Sequence, residues 1–168
     1  MARALIVGCG CRGRELGSAL AAEGWAVRGT SREEAGAEAI AAAGIEPALA
    51  DPALPGTVLD LVGDVAVVFW LLGSARGGEE ELAAIHGQKL ERLLERFVDT
   101  PVRGFVYETV GSVGAQHLRS GRAAVEAAAS TWRIPAEVIA VPREHPDWLE
   151  AALGAAHSLA ERPAAPYS

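Results

Sequence analysis

Residues 4–32 constrain this chain more than any other stretch. They read ALIVGCGCRGRELGSALAAEGWAVRGTSR: an apolar run, a glycine-rich turn, a helical pattern, a second short apolar run and a basic polar loop. The turn, Gly8-Cys9-Gly10-Cys11-Arg12-Gly13, spells G-x-G-x-x-G. Alone this pattern is weak. Here it follows an apolar run and opens a segment with Leu16, Ala19, Leu20 and Ala22 at helical spacing. In that context it marks a βα turn that binds a dinucleotide. Glycine is needed because the turn is tight and the backbone must approach a pyrophosphate closely. The helix N-terminus supplies N–H donors and the positive end of a dipole. Gly8, Gly10, Cys11, Arg12 and Gly13 are the candidate contacts from this turn.

The rest of the chain repeats the alternation. Strands are predicted at 3–7, 26–29, 46–50, 65–72, 104–109 and 136–141. Helices are predicted at about 13–23, 33–43, 79–98 and 115–132, with a short turn or helix at 57–61 and a last helix starting at His145 or Asp147. Residues 65–72, VAVVFWLL, are continuously apolar, which suits a strand covered on both faces of a parallel sheet. Strands alternating with helices predict an α/β fold, a doubly wound parallel sheet of order 3-2-1-4-5-6 in three layers (a Rossmann fold). The ligand crevice then lies at the carboxyl ends of strands one and four. At 168 residues the chain suits one domain, expected over 1–162, with 163–168 a frayed tail.

Composition excludes several classes. Half the residues are hydrophobic and 22% are charged, so a folded core is expected. A net charge of −7 argues against a nucleic-acid partner. No run is long enough to span a bilayer, and Met1 leads directly into the first strand, so cytoplasmic residence is expected. Cys9 and Cys11 cannot form a disulfide framework, and C-x-C without further ligands is not a zinc signature, so no metal is expected. Beside a helix N-terminus they are either thiols of lowered pKa or small residues tolerated near phosphates.

The end of strand two points to the cofactor. An NAD site places Asp or Glu there to bond the ribose 2′-hydroxyl. Here the segment is Arg28-Gly29-Thr30-Ser31-Arg32, with no acid before Glu33. Arg32 can pair with a 2′-phosphate, Thr30 and Ser31 can donate to it, and Arg12 is a second partner, so NADP(H) is expected over NAD(H). Asp51, after strand three, is either an adenine-edge contact or a turn-forming Asp before Pro52.

The strand–GCGCRG–helix–VRGTSR unit resembles the cofactor half of extended or atypical short-chain dehydrogenases/reductases, the NAD-dependent epimerase/dehydratase group. DVAVVF at 64–69, GFVYETVGSVG at 104–114 and IPAEVI at 134–139 resemble its later strands. The resemblance implies a nicotinamide dinucleotide, an oxidoreductase acting on a small carbonyl or a sugar nucleotide, and a homodimer through the helices after strands four and five. That family's reaction uses a Tyr-x-x-x-Lys pair. This chain has tyrosines only at 107 and 167 and a single lysine, Lys89, so the pair is absent. The family's C-terminal substrate domain is not expected either, since the sequence closes about one helix after strand six. Thr109 or Ser112 resembles the family's substrate-orienting Ser/Thr, and Glu108 or His117 stands nearby as a substitute acid/base. His86 is expected at a surface or interface. Two readings follow: an NADP(H)-dependent oxidoreductase that does not use Tyr and Lys, or a non-catalytic dinucleotide sensor or regulatory subunit.

Overall fold

The computed structural model describes residues 2–161. The predicted tail, 163–168, lies outside them. The elements run β1 (Arg3–Val7), α1 (Cys11–Ala22), β2 (Ala26–Ser31), α2 (Glu34–Ala42), β3 (Glu46–Leu49) and α3 (Pro55–Leu59). They continue with β4 (Val67–Trp70), α4 (Glu79–Ile85), α5 (Gln88–Arg96), β5 (Gly104–Glu108), α6 (Ala115–Thr131), β6 (Ala136–Ile139) and α7 (Trp148–Glu161). The six strands form one sheet in the order β3-β2-β1-β4-β5-β6, and every pairing is parallel. This is the doubly wound Rossmann order.

Strand alternation divides the core into two layers. Leu5, Val7, Val68, Trp70, Phe105 and Tyr107 pack with Val58, Leu90, Leu93, Leu94 and Phe97 on one face. Ala4, Ile6, Val67, Phe69, Val106 and Ile139 pack with Leu16, Leu20, Ile40, Trp148 and Ala152 on the other. All four residues of β4 are buried, as a central strand covered on both faces requires.

One predicted element is divided. The helix expected over 79–98 breaks after Ile85, and Phe97–Asp99 forms a turn of 3-10 helix. The break has a cause. Gly87 caps α5 with φ −136° and ψ −111°, and a Cβ there would lie 2.7 Å from the Ala83 carbonyl. The kink turns His86 inward, where it is fully buried rather than at a surface or interface. Its Nε2 faces the Leu72 carbonyl at 2.9 Å, an acceptor only, so Nε2 carries the proton. Nδ1 then accepts from the Tyr107 hydroxyl at 2.7 Å. Gly121 of α6 leaves room for that hydroxyl, since a Cβ there would overlap it.

Candidate functional site

The glycine turn sits where β1 ends. Gly8 has φ +82°, and a Cβ on it would lie 2.6 Å from the Leu71 carbonyl at the end of β4. Both facts demand glycine. The turn is braced from β2: Gly8 N–H donates to Thr30 Oγ1 (3.4 Å) and Cys9 N–H to the Thr30 carbonyl (3.0 Å). Thr30, only 2% exposed, braces the turn as an acceptor through Oγ1 and also lines the cavity described below. Gly10 caps α1 without a side-chain hydrogen bond, and a Cβ on it would meet nothing within 4 Å. The N–H groups of Cys11, Arg12 and Gly13 have no hydrogen-bond acceptor among the described residues, as at a helix start that can receive an anion. Gly13 lets α1 approach Ile6 and Cys9. The Cys9 thiol is packed against Gly29, and burial pushes its pKa up to about 12 despite the charge of Arg14. It stays protonated, which favours the packing reading for Cys9. Cys11 is exposed, with Arg14 Nη2 3.6 Å from its sulfur.

In front of this turn lies a cavity of about 280 Å³. Gly8, Cys9 and Gly10 line it from the turn, and Thr30, Ser31, Arg32 and Gly36 from the β2–α2 connection. Leu71, Leu72, Ser74 and Arg76 line it after β4, with Glu81 from α4. Arg14 and Arg143 complete the basic part of the wall. Arg32 Nη1 donates to Glu81 Oε1 at 2.7 Å and Nη2 to the Arg76 carbonyl at 3.2 Å. Ser31 Oγ accepts from Glu33 N–H at 3.1 Å. Cys11, Arg12, Gly13 and Asp51 are outside the lining. Asp51 Oδ1 accepts from Ala53 N–H at 2.9 Å, a turn-forming bond, while Pro52 reaches the cavity.

Arg12 does not turn into the crevice. Its Nε donates to the Arg143 carbonyl at 2.6 Å, Nη2 donates to the His145 carbonyl at 3.0 Å, and Nη1 pairs with Glu15. The guanidinium also lies 5.3 Å from the Trp148 ring centroid. It fixes the β6–α7 loop to α1. That loop delivers Arg143, whose Nη2 donates to Glu108 Oε1 (2.9 Å) and to the Leu71 carbonyl (2.8 Å). Glu108 is fully buried and also accepts from Gly73 N–H at 2.9 Å. Glu108 therefore stands behind Arg143 and orients it.

The substrate-orienting candidates Thr109 and Ser112 and the acid/base candidate His117 lie elsewhere. Thr109 Oγ1 donates to the Ile139 carbonyl and borders a separate depression beside Arg119 and Arg122. Ser112 is exposed, with its N–H on Ser74 Oγ, and His117 contacts Glu79. None of the three lines the cavity in front of the glycine turn. Tyr107 is fully buried, and burial, with the charge of Glu108, raises its pKa above the ordinary phenol value. Burial lowers that of His86, with the nearby His117 adding to the effect against the Leu72 carbonyl. Sequence reasoning missed Arg14, Arg76, Glu81 and Arg143. Arg143 carried a usable signal, since it follows strand six at the crevice end of the sheet. Among the described residues, no group of three His, Cys, Asp or Glu side chains is placed to hold a metal ion, and no helix is long and apolar enough to cross a membrane.

The chain matches no family model and no curated protein. Solved structures do resemble it. UDP-glucuronic acid 4-epimerase from Bacillus cereus, in complex with NAD, aligns with a TM-score of 0.65 at 16% identity over 86% of this chain and 59% of its own. UDP-glucose 4-epimerase from Thermotoga maritima, with UDP-glucose, gives 0.65 at 13% identity over 81% and 54%. A conserved protein of unknown function from Silicibacter pomeroyi gives 0.56 at 22% identity over 82% and 51%. The chain thus spans between half and three-fifths of the length of these neighbours. In fold it is an α/β Rossmann domain of the kind those epimerases contain.

Proposed function

We propose that this chain binds a nicotinamide dinucleotide in the crevice before Gly8 and Gly10 and prefers NADP(H) to NAD(H). The observation that carries the reading is the uncapped start of α1, with open space in front of Gly10 and arginines 14, 32 and 76 around the cavity. A pyrophosphate fits the N–H groups of the turn and of Cys11 to Gly13. Ser31 and Arg32 fit a 2′-phosphate, and no carboxylate at the end of β2 repels it. The NAD named with the Bacillus cereus epimerase agrees with the class of cofactor. Titration of NADPH and NADH by nicotinamide fluorescence tests both parts. NADPH binding several-fold more tightly is the expected result, and equal dissociation constants remove the preference.

A bound nicotinamide supplies hydride chemistry, and the chain's own groups would hold and orient the substrate. We infer an oxidoreductase of small carbonyl compounds or sugar nucleotides, by analogy with the epimerase neighbours. Arg143 is the donor nearest to such a role. Glu108 fixes its Nε and Nη2, while Nη1 has no bond among the described residues. A second reading is a sensor or regulatory subunit without turnover. It is favoured by the lining itself, which among the described residues includes no Tyr, Lys, His or Asp to move a proton and whose one carboxylate, Glu81, is paired with Arg32. Nicotinamide absorbance with a panel of carbonyl substrates separates the two. Sustained turnover lost in Arg143→Ala supports the enzyme; tight binding with no turnover supports the sensor. Cytoplasmic residence and a homodimer through α4, α5 and α6 belong to the same proposal. A monomer by light scattering at micromolar concentration removes the dimer.

A further inference from the structure

The pair formed by Arg32 and Glu81 spans the mouth of the crevice. Arg32 follows β2, and Glu81 lies in the first turn of α4, after β4. In the sheet β1 lies between β2 and β4, so the 2.7 Å bridge passes from one side of the glycine turn to the other. Both residues line the cavity. Glu81 rests against Gly77, where a Cβ would come within 2.8 Å of Oε2. It shares its helix start with Glu79 and Glu80.

The two side chains are 45% and 36% exposed. An exposed pair of this kind is worth at most about fivefold in an equilibrium constant, so an incoming anion can open it. A 2′-phosphate carries close to two negative charges and needs Arg32. It would find a carboxylate already on that guanidinium. A ribose 2′-hydroxyl is neutral and can donate to the same carboxylate. The acid that the end of β2 lacks is thus present in space, delivered from the opposite wall.

We propose that Glu81 is a specificity-determining residue that competes with the 2′-phosphate for Arg32 and so limits the preference for NADP(H). This rests on the dinucleotide reading given above. Without a cofactor in reach of Glu81, the bridge holds the two walls together.

The test is binding, independent of turnover. Dissociation constants for NADPH, NADH, 2′,5′-ADP and ADP are measured for the parent chain, Glu81→Gln, Glu80→Gln and Arg32→Ala. Glu80→Gln removes the same charge from the same helical turn at a residue outside the cavity lining. In Glu81→Gln, NADPH and 2′,5′-ADP are expected to bind up to about fivefold more tightly, because the competitor for Arg32 is gone. NADH and ADP stay unchanged or weaken. Glu80→Gln moves each constant less than twofold. A Glu81→Gln ratio of NADPH to NADH affinity no different from that of Glu80→Gln overturns the inference. If Arg32→Ala still abolishes the NADPH preference in that case, the underlying cofactor reading stands. If the parent chain binds none of the four ligands, both fall.

Discussion

The two ends of the sheet use arginine differently. At the amino ends of the strands, Arg3 and Arg28 meet Glu46 and Asp64. Arg3 lies 2.9 Å from each acid, and Arg28 lies 3.3 Å from Glu46 and 2.9 Å from Asp64. Arg28 and Glu46 are register partners of β2 and β3, so the ladder itself brings them together. Two cations face two anions. At the carboxyl ends Arg14, Arg32, Arg76 and Arg143 surround one cavity. Glu81 and Glu108 each pair with one of them, and Arg14 and Arg76 are in no ion pair among the described residues. On a chain of net charge −7, that local surplus of positive charge is what a binding crevice needs and a structural corner does not. Arg28 and Arg32 make the lesson concrete. They stand four positions apart, yet the first closes a balanced network and the second faces an opening.

The two ends differ most at Glu108. It is fully buried, with Arg143 and Gly73 N–H both dependent on it. Removing one partner of a buried pair leaves the other uncompensated, so Glu108→Ala should cost about 3 kcal/mol of stability in urea unfolding. Glu46→Ala, at the exposed corner, should cost no more than about 1 kcal/mol in the same measurement. Equal costs would mean that the crevice end is no more tightly built than the other.

A smaller effect separates binding from folding. Gly10 has φ −84° and ψ −153°, a conformation open to other residues, and no atom stands where its Cβ would be. Gly10→Val should therefore fold with its melting temperature nearly unchanged. The added methyls fill the approach to the α1 N-terminus, so dinucleotide affinity should fall about tenfold or more. A variant that binds as well as the parent would remove the pyrophosphate site from this turn.

What was legible in the sequence was local. The β1–turn–α1 unit is one short stretch whose glycines have immediate steric causes, and the apolar run at 65–72 is readable as a central strand because both its faces are covered. Side chains whose partners are distant were not legible. Arg12 and Arg14 both lie in the first turn of α1, but two residues apart on a helix they point to different sides. The choice between them is made by the Arg143 and His145 carbonyls, 131 and 133 residues away. His86 reads as one polar residue in an amphipathic run. Its burial depends on Leu72 and Tyr107, 14 and 21 positions back and forward, and on a glycine that breaks the helix. Glu108 reads as a strand-end acid until Arg143, 35 residues on, is brought against it. Periodicity reports which face is apolar; it does not report which polar group meets which.

The smallest effect sharpens the balanced corner. The hydrogen bond from Arg28 holds the Asp64 carboxyl below its ordinary value against the opposing effect of desolvation, and the charges of Arg28 and Arg3 add to the lowering. The same contacts raise Arg28, led by the Asp64 hydrogen bond. A carboxyl depressed in the folded state binds fewer protons there than in the unfolded chain, so it stabilises the fold once the pH exceeds the unfolded value of about 3.9. That contribution fades as the pH falls through the lower folded value. Asp64 is 53% exposed, so solvent screens the pair and the effect is modest. Asp64→Asn should therefore melt slightly below the parent at neutral pH, and the gap should close as the pH is taken below the unfolded value. Scanning calorimetry of both chains across that range measures it. A gap that persists undiminished in acid would show that Asp64 acts there through packing rather than charge, and the balance of two cations against two anions would no longer explain the corner.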